Sequence, residues 1–600
     1  VGDKVSPAAN NSLFLFHRGN SLVKLQQLKS TFFKASWESV VFWGVLLLYG
    51  PLALWARFHF LDNALLEPHP WRQTQTALTI TQLFQGTATV WDYRSPLGGM
   101  LWNNVYEFPI YQWVVSHVMS LGIGLEVASR LVTLISFGVG SFFAYLLIKE
   151  FFDQRIANWF LLFYWVNPFG VIFSRVCLID FFALAGTLAS IYGVVRLRAG
   201  GKSFFYWLFF ALGGTMASLA KINIWFFITA GILGVVLLEY IFKKETRKKW
   251  QWGILAILMV QVSLVLMWNY HRVHNLHSPA DTPWLLGEWS QRLDGWRWKK
   301  IMWLFGVRSM FYDWLWIPFL LGVPVLFKRS KILFVIIFGV FITHTLVFFQ
   351  VQSFHDYYLI ACLPYLFTVT ALGMTSLFEN PSIIKKVGNV LLLMLIVFKA
   401  TQLMFYYSPI VHDYRPDLAS IFKLKENTDP RDIIYWNAKQ GSWEIPTYSE
   451  RKVGLSETAI LIGKKSPFTE EVYFPSVYHF ESEKLDLELL KNLGQVWLDG
   501  TLDFPLYRTE AVGKFTFFPL KQWAVLTEAP KGSTVVSWRE EVDVCKMSEA
   551  LAVKIPIGIK EIQVFSADGH LVVRFPGNKA ILNIPPFENW GCRLKIKTIS

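Results

Sequence analysis

The stretch HPWRQTQTALTITQLFQG at 69–86, followed by WDYRSP at 91–96 and NNVYEFPIYQ at 103–112, decides how this chain folds. It lies between two long apolar runs and carries Arg72, Asp92, Arg94 and Glu107. An ionised side chain at the centre of a bilayer costs at least about 3 kcal/mol, so the insert must lie against a membrane and outside its hydrocarbon. The runs on either side belong inside it.

The rest of the sequence agrees. Of 600 residues, 53% are hydrophobic and 17% charged, against about 25% charged in an average soluble domain. Apolar runs near the roughly 20 residues that cross a bilayer as helix recur at about 39–57, 126–148, 156–174, 181–195, 203–220, 224–242, 252–268, 311–327, 332–350, 357–378 and 388–407. The expectation is a polytopic α-helical membrane protein of about eleven spans. Alternate connections at 1–38, 149–155, 196–202, 243–249, 328–331 and 379–386 hold 20 Lys and Arg against 6 Asp and Glu, an excess equal to the formal net charge of +14. By the positive-inside rule these segments are cytoplasmic and the insert at 58–111 is extracytoplasmic. The basic balance therefore reports topology, and no nucleic-acid partner is implied.

An odd number of spans leaves the chain outside after residue 407. Residues 1–38 read as a cytoplasmic segment, 39–407 as the transmembrane domain and 408–600 as a soluble extracytoplasmic domain of mixed α/β type. In that tail a helix enters at Pro416, a turn falls at Asp429-Pro430 and a strand follows. EVYFPSVYHF, KFTFFPL, WAVLTEA, STVVSW, IQVFSADGHLVVRF and AILNIPP then read as short strands, with a hairpin turn at Ala567-Asp568-Gly569. Cys545 and Cys592 lie on the oxidising side and could pair. The first apolar run has a long basic leader and no small-residue cleavage site after it, which argues against a cleavable signal.

With the topology drawn, the unusual polar residues fall on one side. Arg72, Gln75, Asp92, Arg94 and Glu107 sit in the first outer loop, Arg175 and Asp180 bracket the second, and Lys221 and Asn223 form the third. His271, His274 and His277 follow, then the basic, Trp-rich 284–303, then His355, Asp356, Tyr357 and Tyr358 in QSFHDYYL. Charged groups at the ends of several spans point to a common polar site at the membrane surface. Such a site suits a lipid-linked phosphate, whose chain stays in the bilayer while Arg and Lys grip its head group. Transfer of a sugar from that lipid would need a carboxylate to take a proton from the acceptor hydroxyl. Glu107, Asp180 and Asp92 are the candidates.

HPWRQTQTALTI, EFPIYQW, ASRLVTLIS, NPFGVIFSRVCLIDFFAL, ASLAKINIW and HDYYLIACLPYL, in that order, resemble the family 39-type glycosyltransferases of the GT-C fold, relatives of protein mannosyltransferases and lipid A aminoarabinose transferases. The resemblance covers roughly 35–400. It implies a polyprenyl-phosphate-linked sugar as donor, inversion at the sugar carbon, and a site on the outer side of a bacterial cytoplasmic membrane. Many relatives place an acid three residues after the Arg of the WRQ motif, and others open that loop with an Asp-Glu pair. Here the motif reads Trp71-Arg72-Gln73-Thr74-Gln75 and holds no acid.

Each candidate also has an ordinary structural reading. Glu107 and Asp180 could be helix caps, Asp92 a turn former, Arg72 a snorkelling interfacial residue, and Asp180 could pair with Arg175 or with Lys221. The three histidines could bind a divalent metal with an outer-loop carboxylate or be plain interface residues, His355 to Tyr358 could belong to an aromatic belt, and 284–303 reads as an interfacial amphipathic helix. The reading that accommodates all of them is a membrane glycosyltransferase in which Glu107 or Asp180 is the base. Arg72, Lys221 and Arg175 would bind the donor phosphate, with Gln75, Arg94 and His355 to Tyr358 in the substrate pocket. The acceptor is a lipid, glycan or protein. The alternatives are a transporter or flippase of lipid-linked glycans, or a non-catalytic subunit of the same fold.

Overall fold

The computed structural model describes residues 37–95, 104–242, 249–276, 278, 285–379, 382–406, 412–418, 421–422, 425, 444–450 and the strands of the tail. Each apolar run read from the sequence contains helix. Among the described residues six helices, Trp37–Phe58, Leu125–Phe151, Asp180–Arg198, Gln251–Asn275, Asp356–Leu377 and Lys385–Phe405, are long and apolar enough to cross a membrane. The protein is a multi-pass helical membrane protein.

The first span, α1 (Trp37–Phe58), turns Trp43, Leu47 and Leu48 outward, where only lipid makes such exposure favourable. The insert follows it and contributes α2 (Pro70–Phe84) and α3 (Ile110–Met119). Then come α4 (Leu125–Phe151), α5 (Gln154–Val166), α6 (Pro168–Phe173) and α7 (Asp180–Arg198). The run at 156–174 is thus broken between α5 and α6, because the residue before a proline is driven out of the helical region. Asn167 caps the break by accepting from the Phe169 and Gly170 amides while its Nδ2 donates to the Met310 carbonyl at 2.8 Å.

The run at 203–220 divides into α8 (Phe204–Leu208), a π turn at Phe209–Gly213 and α9 (Gly214–Ala220). A single extended residue, Lys221 (φ −157°, ψ 89°), separates α9 from α10 (Ile222–Phe242). The chain continues through α11 (Lys249–Tyr270), a π turn at His271–Asn275, α12 (Gly295–Lys299), α13 (Trp316–Arg329) and α14 (Lys331–Val347). After these come α15 (Phe349–Phe354), a 3₁₀ turn at Asp356–Cys362, α16 (Leu363–Leu377) and α17 (Ile383–Tyr406). The segment 284–303 is not one amphipathic helix: a 3₁₀ turn (Trp289–Leu293), α12 and a π stretch (Lys300–Met310) replace it. Arg292 explains the break, since it donates to the Leu346 and Val347 carbonyls that α14 leaves open at its C-terminus, at 2.8 and 3.2 Å.

The tightest helix crossing is α13 on α16. A Cβ added at Gly322 would strike the Val369 carbonyl, and one at Gly373 the Pro318 carbonyl. The two backbones touch where both side chains are a hydrogen atom, a common arrangement between helices in lipid.

In the tail, strands Ile433–Trp436, Lys452–Leu455, Val477–Phe480, Val496–Asp499 and Leu506–Thr509 make a mixed five-stranded sheet, and two four-stranded sheets follow. Glu561–Phe565 and Leu571–Pro576 pair antiparallel, as expected of a hairpin. The turn at 567–569, the turn at 429–430, the KFTFFPL segment, Cys545, Cys592 and His277 lie outside the described residues. The helix expected at Pro416 begins as a 3₁₀ turn, Pro416–Leu418. Helix α18 (Glu444–Ser449) leaves the sheet and packs on α2: Thr447 Oγ1 donates to the Thr74 carbonyl at 2.9 Å and the Tyr448 hydroxyl accepts from the Leu65 amide at 2.8 Å.

Candidate active site

Helix α2 carries four glutamines and threonines in its first turns, yet Gln73 through Ile80 are all buried. Several of its polar groups are matched by nearby or facing main chain. Thr74 and Thr76 hydroxyls donate to carbonyls four residues back, and Gln73 both donates to the Pro68 carbonyl and accepts from the Cys177 amide. The helix is entered through His69, whose φ of 61° is left-handed, with Pro70 at the first turn. A non-glycine residue in that region is strained and is found where the surroundings over-determine it. Here Asp356 does so, its Oδ1 lying 2.7 Å from His69 Nε2.

Arg72 therefore projects at a fixed angle. Its Nη2 donates to both carboxylate oxygens of Glu107, at 2.9 and 3.0 Å, and its Nη1 to Gln75 Oε1 at 2.6 Å. Burial works against this charge, and Glu107, Tyr357 and Tyr358 more than offset it, so the guanidinium is held above its ordinary range. Glu107 is anchored in turn. The Tyr93 hydroxyl donates to its carbonyl, Gln112 Nε2 donates to its side chain at 3.2 Å, and Trp268 Nε1 and Arg272 Nη1 hold the Tyr106 and Val105 carbonyls.

On the other side of the pocket, the break at Lys221 turns its ammonium inward onto Asp180, 2.5 Å away at the start of α7. The same ammonium lies over the Tyr357 and Tyr358 rings at 4.9 and 4.7 Å, within electrostatic reach of Arg72 and Glu107. Asp180 Oδ2 is buried and finds no partner among the described residues. His355 stacks on Tyr357 with 5.3 Å between ring centres and lies 5.2 Å from Trp71. Burial, reinforced by the charges of His69, Lys221, Arg72 and Lys300, pulls the His355 imidazole down to about 3.

Arg72, Gln75, Glu107, Asp180, Lys221, His355, Asp356, Tyr357 and Tyr358 thus come together. Five other candidates, Asp92, Arg94, Arg175, His271 and His274, do not join them. Asp92 accepts from Arg94 at 3.0 Å, and both sit on the rim of the insert with side chains 44% and 23% exposed. Arg175 binds neither Asp180 nor any group in the pocket. Its Nη2 meets Glu67 at 3.2 Å, where Arg130 arrives from α4 at the same distance, and its remaining bonds go to the Ala56 and Phe60 carbonyls. This buried Arg–Glu–Arg triad ties the insert to α1 and α4. His271 Nε2 bonds the Trp91 carbonyl at 2.8 Å, His274 packs on Tyr270, and no cluster of three metal-binding side chains exists among the described residues.

Sequence reasoning missed His69, Glu67 and Arg130. The first two stand in the run LLEPHPWRQ, immediately before the residues singled out.

Residues 107–268 match the family model of dolichyl-phosphate-mannose-protein mannosyltransferases. The family resemblance is borne out. Among solved structures the chain is similar to ArnT from Cupriavidus metallidurans bound to undecaprenyl phosphate, at 13% identity and a TM-score of 0.51 over 78% of this chain and 98% of that one. The apo form of the same protein gives 0.50 at the same identity and coverage. An oligosaccharyltransferase from Archaeoglobus fulgidus, in complex with zinc and sulfate, aligns over 92% of this chain and 97% of its own at 10% identity and 0.43. The ArnT likeness establishes the fold. No curated protein matches the sequence.

Proposed function

We propose that this protein is an inverting glycosyltransferase that moves a sugar from a polyprenyl-phosphate carrier to an acceptor hydroxyl at the extracytoplasmic face of a bacterial cytoplasmic membrane. One observation carries the reading: two cation–carboxylate pairs, Arg72–Glu107 and Lys221–Asp180, arise from separate hairpins and meet beside Tyr357 and Tyr358. The family match over 107–268 and the undecaprenyl phosphate bound to ArnT support a lipid-phosphate donor.

The two carboxylates differ in what they have left to give. Both Glu107 oxygens are taken by Arg72 and Gln112, which suits an orienting role. Asp180 bonds Lys221 through one oxygen and keeps the other, as a general base must. Asp180 Oδ2 takes the acceptor proton, the acceptor oxygen bonds to the sugar C1, and the C1–O bond to phosphate breaks with its electron pair going to the phosphate. Arg72 and Lys221 stabilise the charge that develops there. Each has donors to spare, since a guanidinium carries five N–H groups and an ammonium three. Arg94 and Arg175, spent on other partners, drop out of the phosphate site, and Asp92 drops out as base.

The test is the lipid that co-purifies with the protein, followed by transfer in proteoliposomes. Mass spectrometry should find a polyprenyl phosphate or its glycoside, and Arg72→Ala should weaken binding of that lipid. Passage of an intact lipid-linked glycan across the bilayer with no sugar released would establish the flippase reading instead.

A further inference from the structure

Next to the phosphate-binding cations, α10, α14 and α15 bring together a strip of buried neutral polar groups that no step above uses. Helices α10 and α14 run antiparallel. Phe227 of α10 meets His344 and Phe348 with ring centres 6.1 and 5.7 Å apart. Asn223 stands four residues before Phe227, one turn closer to Lys221. On the facing side His344, Phe348 and Gln352 follow at four-residue steps, the main-chain N–H of Gln352 donating to the Phe348 carbonyl. Asn223 is 7% exposed, His344 1% and Gln352 fully buried. Among the described residues the Asn223 Nδ2, both His344 ring nitrogens and both Gln352 amide atoms have no hydrogen-bond partner. His344 also lies within the field of Lys221.

Buried polar atoms are nearly always satisfied, so five unsatisfied ones on one strip call for a ligand. Their chemistry specifies which. A primary amide and a neutral imidazole offer donors and acceptors without charge, which suits hydroxyl groups and does not suit a phosphate. The Phe227 and Phe348 rings supply the apolar surface that the C–H face of a sugar ring needs. The strip starts where the cations end.

We propose that Asn223, His344 and Gln352 bind the hydroxyls of the donor's glycosyl group and so select the sugar. The inference rests on the donor reading above. It is tested by titrating the full-length protein with decaprenyl phosphate and with its mannosyl, glucosyl, galactosyl and arabinosyl esters, for wild type and for N223L, H344L and Q352M. Wild type should prefer one ester over the bare phosphate. Each variant should bind that ester about tenfold more weakly, bind bare decaprenyl phosphate as before, and melt at the wild-type temperature or above, because a polar group without a partner has been removed. Equal losses for both kinds of lipid, or a lower melting temperature with sugar preference intact, would overturn the proposal by making the strip structural. A wild type that binds bare phosphate as well as every ester overturns it while leaving the lipid donor standing. Binding of none of these lipids overturns both.

Discussion

Asp180 and Glu107 each face a cation, but their substitution should have different consequences. On the mechanism proposed above, Asp180→Asn keeps the size of the side chain and removes the base, so turnover should fall by at least about 10²-fold with donor affinity little changed. Glu107→Gln frees Arg72 from its fork, so the loss should fall on the KM for donor more than on kcat. Equal effects on both constants in both variants would refute this division, and steady-state kinetics in proteoliposomes decides it. His355 gives a pH signature. Its folded-state value near 3 lies below the ordinary imidazole value, so the unfolded chain binds the extra proton between about pH 6.5 and 3. Stability is therefore full above that window and lost as pH falls through it, and His355→Gln should flatten the decline of melting temperature between about pH 7 and 4.

At the scale of elements, two devices place these residues. The Arg130–Glu67–Arg175 triad is fully desolvated, and removing its central acid leaves two buried cations facing each other. Glu67→Ala should cost about 3–5 kcal/mol, read as a large drop in melting temperature, whereas Asp92→Ala on the rim should change stability by less than about 0.5 kcal/mol. The crossing of α13 and α16 has no room for a methyl group, so Gly373→Ala should destabilise by about 1–3 kcal/mol or more. The helices themselves were legible because apolar runs of span length announce themselves. Their breaks do not: 156–174 reads as one run, although Pro168 after Asn167 is the mark at which it divides. Lys221 stood out as a cation between two apolar runs, but its extended backbone follows from its bond to Asp180, a contact between separate hairpins. For the same reason Arg175 was read as the neighbour of Asp180 and proves to belong to Glu67, 108 positions away. Residue type and side of the membrane can be read along the chain; pairing depends on which helices meet.

For the whole molecule, the described elements are those of a polytopic helical membrane protein with several long apolar helices, a polar insert after the first of them and strands in the tail. What the sequence did not reveal is that the tail reaches back to the insert. Asn63 bonds the His412 carbonyl and the Tyr414 amide, Arg415 meets Asp62, and α18 lies on α2. Apart from the Arg415–Asp62 ion pair, these contacts are made by hydroxyl, amide and main-chain groups, which leave no pattern of hydrophobicity or charge to follow. Tyr448→Phe removes the acceptor for the Leu65 amide and should cost about 1 kcal/mol, with hydrogen exchange of the 62–66 segment rising more than that of the spans. Uniform exchange across the chain would show that the clasp is not local.

The grip of Thr447 on the Thr74 carbonyl also sets an order of events during synthesis. The helix bearing Arg72 emerges early, but the residue that closes on it is translated more than 370 positions later. A chain that stops before Thr447 can thus hold the cations and carboxylates of its insert and spans and still lack the last support of its first loop, so the sugar transfer proposed above should require translation past residue 447.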